Sequence, residues 1–382
     1  MVGISLPKSL PMRELASFSP VAPAPPTRTP THGKVAAWRR GVAAWLARHL
    51  IGPSRNLVGA GGLPASGIQR ILVCRPNHRL GNTLLLTPLL VEIERRFPGA
   101  EVDVLSAGPA AHAVFRGFDI VGDCTTLDRR AVRRPLATLG ALRKLRSRRY
   151  DLVIDAAAGS SSGRIASAMA RARYQLRTEA MPTDGGTTHL AARPVHALRW
   201  ALGVPDDAAI PSLDIRLSDA ERQAGRDALA RVVRDVDERR LPVLAIFPHA
   251  TGSKRLLPEW WGPFTQALIA RLGEVCIVEL VSADGQSRLG GSYPTYYTSD
   301  PRKLAAFIEA SGTYISADCG VMHLAAATAA TTVGLFGPTD PERYAPYGRD
   351  NIAVACDDGC PRQAAARVAA HLLSRRLHAR ST

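Results

Sequence analysis

The sequence predicts an α/β protein made of two successive doubly wound parallel-sheet halves that face a central cleft. Three observations carry this. Short apolar runs alternate with helical segments from Gln69 to Leu202, and after a break at Pro205–Pro211 the alternation restarts. The runs themselves (ILVC, DLVIDA, LPVLAIF, TVGLF) are almost continuously apolar, as strands covered on both faces must be. Finally, 382 residues are more than one core comfortably serves, since domains usually take about 100–200 residues.

The elements follow in order. Residues 1–33 are rich in Pro, Ser and Thr and read as a disordered leader. Lys34–Ile51 reads as a basic helix, with Trp38, Val42 and Trp45 at helical spacing; it either lies on an anionic leaflet of the inner membrane or packs on the body. A Gly-rich linker, Gly59–Gly67, ends this region at residue 68. The first half, 69–215, offers strands at Ile71–Arg75, Glu101–Ser106 and Asp151–Ala156, with helices at Gly81–Phe97, Ala131–Arg148, Ser160–Ala172 and Thr188–Leu202. The second half, 216–350, opens with a charged helix, Ser218–Arg240. Strands follow at Leu241–Pro248, Glu274–Ser282, Thr313–Ala317 and Thr332–Phe336, and helices around Trp260–Leu272, Arg302–Glu309 and Gly320–Ala329. Residues 351–382 form a tail with a terminal helix at Gln363–Leu377.

A net charge of +16 favours anionic partners such as phosphorylated metabolites or an acidic membrane face. Nucleic acid is not expected, because the Arg residues are scattered and no zinc-finger spacing or stacking aromatic run accompanies them. Cys74, Cys276 and Cys319 lie in or beside apolar runs and read as buried thiols. Cys356 and Cys360 have only His371 nearby, too few ligands for zinc. This usage fits a reduced, cytoplasmic protein, and neither a secretory signal nor a spanning segment is expected.

Three loop–helix segments carry candidate chemistry. In RPNHRLGNTLLLTPLL a polar loop with Arg79 leads to Gly81 and Asn82 at a helix start, where free N–H groups can meet an anion. In FPHATGSKRLLPEWW the donors Thr251, Ser253, Lys254 and Arg255 gather at a strand's carboxyl end and suit a diphosphate. In ISADCGVMHLAAATAATTVGLFGPTDP, Asp318 can cap the helix that opens at Gly320, and His323 lies in its first turn. The pair Asp235 and Asp237 sits in a charged stretch and reads as solvated surface, so no metal is expected.

Taken together, DCGVMHLAAA followed by GLFGPTDP is similar to the sugar-nucleotide signature of glycosyltransferase family nine, which includes the ADP-heptose:lipopolysaccharide heptosyltransferases. RPNHRLGNTLLLTPLL resembles the family's opening IRxDRLGDxLLxTPLL, and DLVIDAAAG its DLVIDLQG. The resemblance spans about residues 69–350. It implies a GT-B fold, no cofactor, and metal-independent inverting transfer from a nucleotide sugar, ADP-heptose, to a lipid-linked oligosaccharide. It places the acceptor on the first half and the donor on the second. By position, Asp318, Gly320 and His323 fall on the donor motif, and Thr251, Ser253, Lys254 and Arg255 on the diphosphate loop. The family's lysine register holds Arg255 here, with Lys254 one residue earlier. Arg79, Gly81, Asn82 and Asp155 fall on the acceptor side.

The chain departs from the family most sharply at Asn82, where the family's general base is an aspartate. An amide hydrogen-bonds a hydroxyl but takes no proton near neutral pH. Three readings stay open: another carboxylate serves, with Asp155 and Asp103 as candidates; the acceptor's own phosphate serves; or catalysis is weak. A different sugar donor, or a weakly active sugar-nucleotide binder, are the alternatives to heptosyl transfer.

Overall fold

The computed structural model describes residues 56–127, 135–157, 161–182, 188–234, 241–356 and 359–381. The leader, the helix expected at 34–51 and the pair Asp235 and Asp237 lie outside them. Two all-parallel sheets form. The first has five strands in the order β3-β2-β1-β4-β5: β1 Arg70–Cys74, β2 Glu101–Ala107, β3 Val121–Leu127, β4 Arg149–Asp155 and β5 Arg171–Arg177. The second has six, in the order β11-β10-β9-β6-β7-β8: β6 Val243–Phe247, β7 Cys276–Leu280, β8 Thr295–Tyr296, β9 Thr313–Ala317, β10 Thr331–Phe336 and β11 Ile352–Ala355.

Side-chain alternation explains why helices cover both faces. In the first sheet Ile71, Val73, Val102, Leu152 and Ile154 point into one core. Leu72, Cys74, Leu105 and Val153 point into another, closed by Leu145 and Ala166. The second sheet repeats the pattern. Leu244, Ile246 and Ile315 pack with Trp261, Phe264 and Leu268 of the helix Pro258–Leu272. Val278, Tyr314 and Phe336 pack with Phe307 and Ile308. Each fully buried large side chain contributes about 1.5–3 kcal/mol, so these four layers hold most of the fold's free energy.

The expected helix 81–97 is two helices, α1 Leu80–Leu84 and α2 Thr87–Arg96. Pro88 has no N–H to give Leu84, and the Thr87 hydroxyl takes that carbonyl instead at 2.9 Å. The stretch Gly59–Gly67 is no free linker. Gly61 and Leu63 donate backbone hydrogen bonds to Trp200 and Ala201 carbonyls (3.0 and 2.9 Å), and Val58, Leu63 and Ile68 are buried in the first core. The C-terminal helix, Pro361–Ser381, packs Ala365, Val368 and Leu372 into the second half's core.

Leu46–Thr382 cluster as one compact unit, so the halves are joined by packing as well as by chain. The joint is the connector Leu213–Leu217. Asp214 N donates to Thr87 Oγ1 (3.1 Å) and Ile215 N to the Ala327 carbonyl (3.0 Å). Arg216 adopts a left-handed conformation (φ 49°), and a Cβ on Gly117 would come within 2.6 Å of its carbonyl oxygen. The guanidinium of Arg302 uses every donor it has here. It binds both oxygens of Glu221 (2.6 and 2.7 Å) and the carbonyls of Ala113, Ile215 and Arg216. This hydrogen bonding pulls the Glu221 carboxyl down to about 2. Arg302→Ala should destabilise the protein by about 3–5 kcal/mol in denaturant titrations, because it strands Glu221 and three carbonyls. Arg302→Lys should recover only part, lacking the fork.

Candidate active site

In an open parallel sheet, ligands bind beyond the carboxyl ends of strands where the strand order reverses. Here the first reversal lies between β1 and β4, and the second between β6 and β9. The residues leaving those strands come from the three segments singled out in the sequence, and the two reversals meet at a seam between the halves.

The seam is built on small residues. A Cβ on Gly81 would lie 2.6 Å from His323 Cδ2 and 3.4 Å from Gly320 Cα, so α1 can lie against α10, Gly320–Ala326, only with glycine there. Gly81, Gly320 and His323 are thus brought together. Asn82 is next to them on α1 and half-buried.

His323 is buried, and its Nδ1 has no hydrogen-bond partner among the described residues. Burial lowers its pKa to about 4, and Asp318 offsets only part of this, so the ring is neutral at pH 7. Close by, His189 accepts a hydrogen bond from Ala191 N at Nδ1 (3.1 Å) and is 3.0 Å from the Ala345 carbonyl at Nε2, which makes Nε2 the protonated nitrogen. His189 also stacks on Tyr347 at 4.7 Å, tying the first half to the loop after β10.

On the second half, the chain leaves β6 through a 3-10 turn, Gly252–Lys254. Lys254 Nζ lies 2.5 Å from Asp318 Oδ2 and 5.7 Å from the centre of the Tyr344 ring. Asp318 is buried. It is not the helix cap expected from the sequence: Cys319 occupies the N-cap of α10, and the carboxylate is committed to Lys254. Thr251, Ser253 and Arg255 are exposed, so of the two adjacent cations it is Lys254 that faces inward.

On the first half, Arg75 leaves β1 buried, with Nη1 3.2 Å from the Ala156 carbonyl. Arg79 is exposed, its backbone N–H turned onto Asn77 Oδ1. Asp155 ends β4 in register with Cys74 and is buried, Oδ1 accepting from Ala157 N at 3.1 Å. Burial raises its pKa to about 6, against the pull of that backbone N–H. The other carboxylate considered from sequence, Asp103, is at the wrong end. It pairs with Leu72 in the middle of β1, and its carboxylate is held at the amino end of β4 by Arg148 (2.5 Å) and Tyr150 (2.8 Å). Engaged there by an arginine and a phenol, Asp103 does not serve as the base. Arg75, His189 and Tyr344 were not singled out in the sequence. Only Arg75 carried a signal there, as a charge placed directly on the end of a buried strand.

Residues 300–369, which include β9, α10 and β10, match Glycosyltransferase family 9 (heptosyltransferase). A comparison with curated proteins by sequence finds no match. Among solved structures, the chain resembles a glycosyl transferase family 9 protein from Veillonella parvula (TM-score 0.63, 18% identity, 78% of this chain and 89% of that one). It also resembles Escherichia coli heptosyltransferase WaaC with ADP (0.60, 16%, 80% and 99%). A third is E. coli ADP-heptose lps heptosyltransferase II (0.60, 17%, 81% and 100%). At these identities the structures establish the shared fold, two Rossmann-like sheets in the GT-B arrangement. The segment similar to family nine thus includes the loop and helix that carry Asp318 and His323, and the chain around it shares the fold of that family's solved structures.

Proposed function

We propose that the protein transfers a heptose from ADP-heptose to the lipopolysaccharide core or a related surface glycan, on the cytoplasmic face of the inner membrane, with inversion and without a metal. The observation that carries this reading is the Lys254–Asp318 pair at 2.5 Å, set at the reversal point of the second sheet. A cation oriented by a buried carboxylate is suited to a diphosphate leaving group. Solved relatives of the same fold hold ADP and ADP-2-deoxy-2-fluoro heptose, which supports the choice of donor.

In this reading the nucleotide lies on the second half, along Thr251, Ser253, Lys254, Asp318, Gly320 and His323. The acceptor lies on the first, near Arg79, Gly81, Asn82 and Asp155. The acceptor hydroxyl attacks the anomeric carbon from the face opposite ADP. Its proton passes to Asp155, whose burial-raised pKa of about 6 lies near the optimum for a base at neutral pH. Asn82 orients that hydroxyl. The charge growing on ADP is met by Lys254. Asn82 also favours a second reading, a binder of nucleotide sugar with little turnover, because the amide takes no proton.

The test is a donor panel of ADP-, UDP- and GDP-sugars with heptose-free core acceptor in EDTA, with product configuration read by NMR. Transfer from ADP-heptose, with inversion and undiminished by EDTA, is expected. Transfer only from another donor, or loss in EDTA restored by manganese or magnesium, would overturn the donor or the metal-free claim respectively.

A further inference from the structure

The buried arginines of this protein set a pattern that one of them breaks. Arg199 is 1% exposed and makes a two-point contact with Glu92 (2.9 and 3.1 Å). Arg302 is 5% exposed and makes the same contact with Glu221 (2.6 and 2.7 Å). Arg75 is 8% exposed, yet among the described residues no carboxylate pairs with it, and its hydrogen bonding is the one 3.2 Å contact with the Ala156 carbonyl. A guanidinium has five N–H donors and stays charged at neutral pH. With one long contact and little exposure, such a group is completed by water or by a bound anion.

Position says which anion. Arg75 leaves β1 at the first reversal point, where burial works against its charge and Tyr344 of the second half is near enough to act on it. Lys254 approaches the same ring at 5.7 Å. The one buried carboxylate beside Lys254, Asp318, is already engaged by it. Cations from both halves therefore come to the neighbourhood of one ring, and the carboxylate there is committed to Lys254. Both cations also act on His323, and their excess positive charge suits an anion with more than one charged group.

We infer that Arg75 is the first half's contact to the diphosphate of the nucleotide, so that the diphosphate is gripped by Arg75 from one half and Lys254 from the other. This rests on the donor reading above in taking a nucleoside diphosphate as the substrate. It adds that donor binding itself draws on both halves. A fork from the first half supplies two directed N–H bonds to a phosphate, where lysine supplies a point charge.

The experiment is calorimetric titration of the full chain with ADP, with inorganic pyrophosphate and with adenosine, comparing wild type, Arg75→Gln and Arg75→Lys. Arg75→Gln should weaken ADP and pyrophosphate by about 10–100-fold, the worth of one charge-assisted contact, and leave adenosine unchanged. Arg75→Lys, which keeps the charge and covers the case in which the glutamine variant does not fold, should weaken both several-fold. Equal affinities in folded variants, absence of pyrophosphate binding by wild type, or an equal loss of adenosine would overturn the inference. Pyrophosphate carries neither base nor sugar, so these outcomes stand apart from a failure of ADP-heptose as donor.

Discussion

Lys254→Ala should lower kcat/KM by about 10²–10³, the usual cost of removing one group that stabilises leaving-group charge. The reason is positional. Lys254 comes off β6, Asp318 off β9, and the two strands are neighbours at the reversal of the second sheet. Asp318 is buried while the lysine side chain is 31% exposed. Losing the lysine therefore also strands a carboxylate, at a cost in stability that solvent around the lysine makes smaller than for a fully enclosed pair. The double variant Lys254→Ala with Asp318→Asn separates the effects. It should regain stability in thermal melts and stay inactive. Recovery of activity in the double variant would mean that the single change acted through folding alone.

Asp155→Asn should have a comparable effect with opposite consequences for rate and stability. As the proposed base, Asp155 contributes about 10²–10⁴ in rate, so its loss should cost that factor. Its pKa is raised by burial to about 6, so wild-type activity should climb as pH rises through about 6, and the profile should lose that limb in the variant. The stability sign follows from linkage. A carboxyl whose pKa is raised by folding contributes fully in its protonated form below its unfolded value, near 4, and that contribution is lost as pH rises through about 6. An amide never ionises. The variant should match wild type near pH 4 and be more stable above pH 7, by roughly 2–3 kcal/mol. Denaturant midpoints across pH 4–8 check this. A variant that loses both rate and stability at pH 7 would mark Asp155 as structural, with its bond to Ala157 N the relevant contact.

What could be read from sequence follows burial. The central strands, covered on both faces, appear as apolar runs, and β1, β4, β6, β9 and β10 lie close to where those runs predict them. The strands that escaped, β3 (VGDCTTL), β5 (RARYQLR), β8 and β11, are the four sheet edges. β3 and β5 carry polar residues on their exposed sides, β8 is two residues long, and β11 (IAVA), though apolar, is only four, so no run marks them. The same rule explains the site. The segments containing Lys254, Asp318 and His323 could be picked out because each follows an apolar strand. The Lys254–Asp318 pairing joins residues 64 apart in sequence, and His189 meets Ala345 across 156; spacing reports neither. The cap expected at Asp318 failed for that reason, since a distant ammonium competes better for the carboxylate than the backbone N–H groups beside it. Asp103 lies in the amino half of its strand, Glu101–Ala107, away from the carboxyl end where ligands bind.

The central proposal is that this chain turns over a nucleotide sugar although asparagine stands at position 82, where the motif it resembles has an aspartate. The direct measurement is acceptor-dependent release of ADP from ADP-heptose by wild type and by Asn82→Asp, side by side. With Asp155 as base, wild type releases ADP only when acceptor is present, and Asn82→Asp changes the rate by a modest factor. An Asn82→Asp gain of about 10²–10⁴ over a nearly inert wild type would show that the native chain lacks a working base. Silence from both, with ADP still bound, would contradict the transferase account and leave a nucleotide-sugar binder.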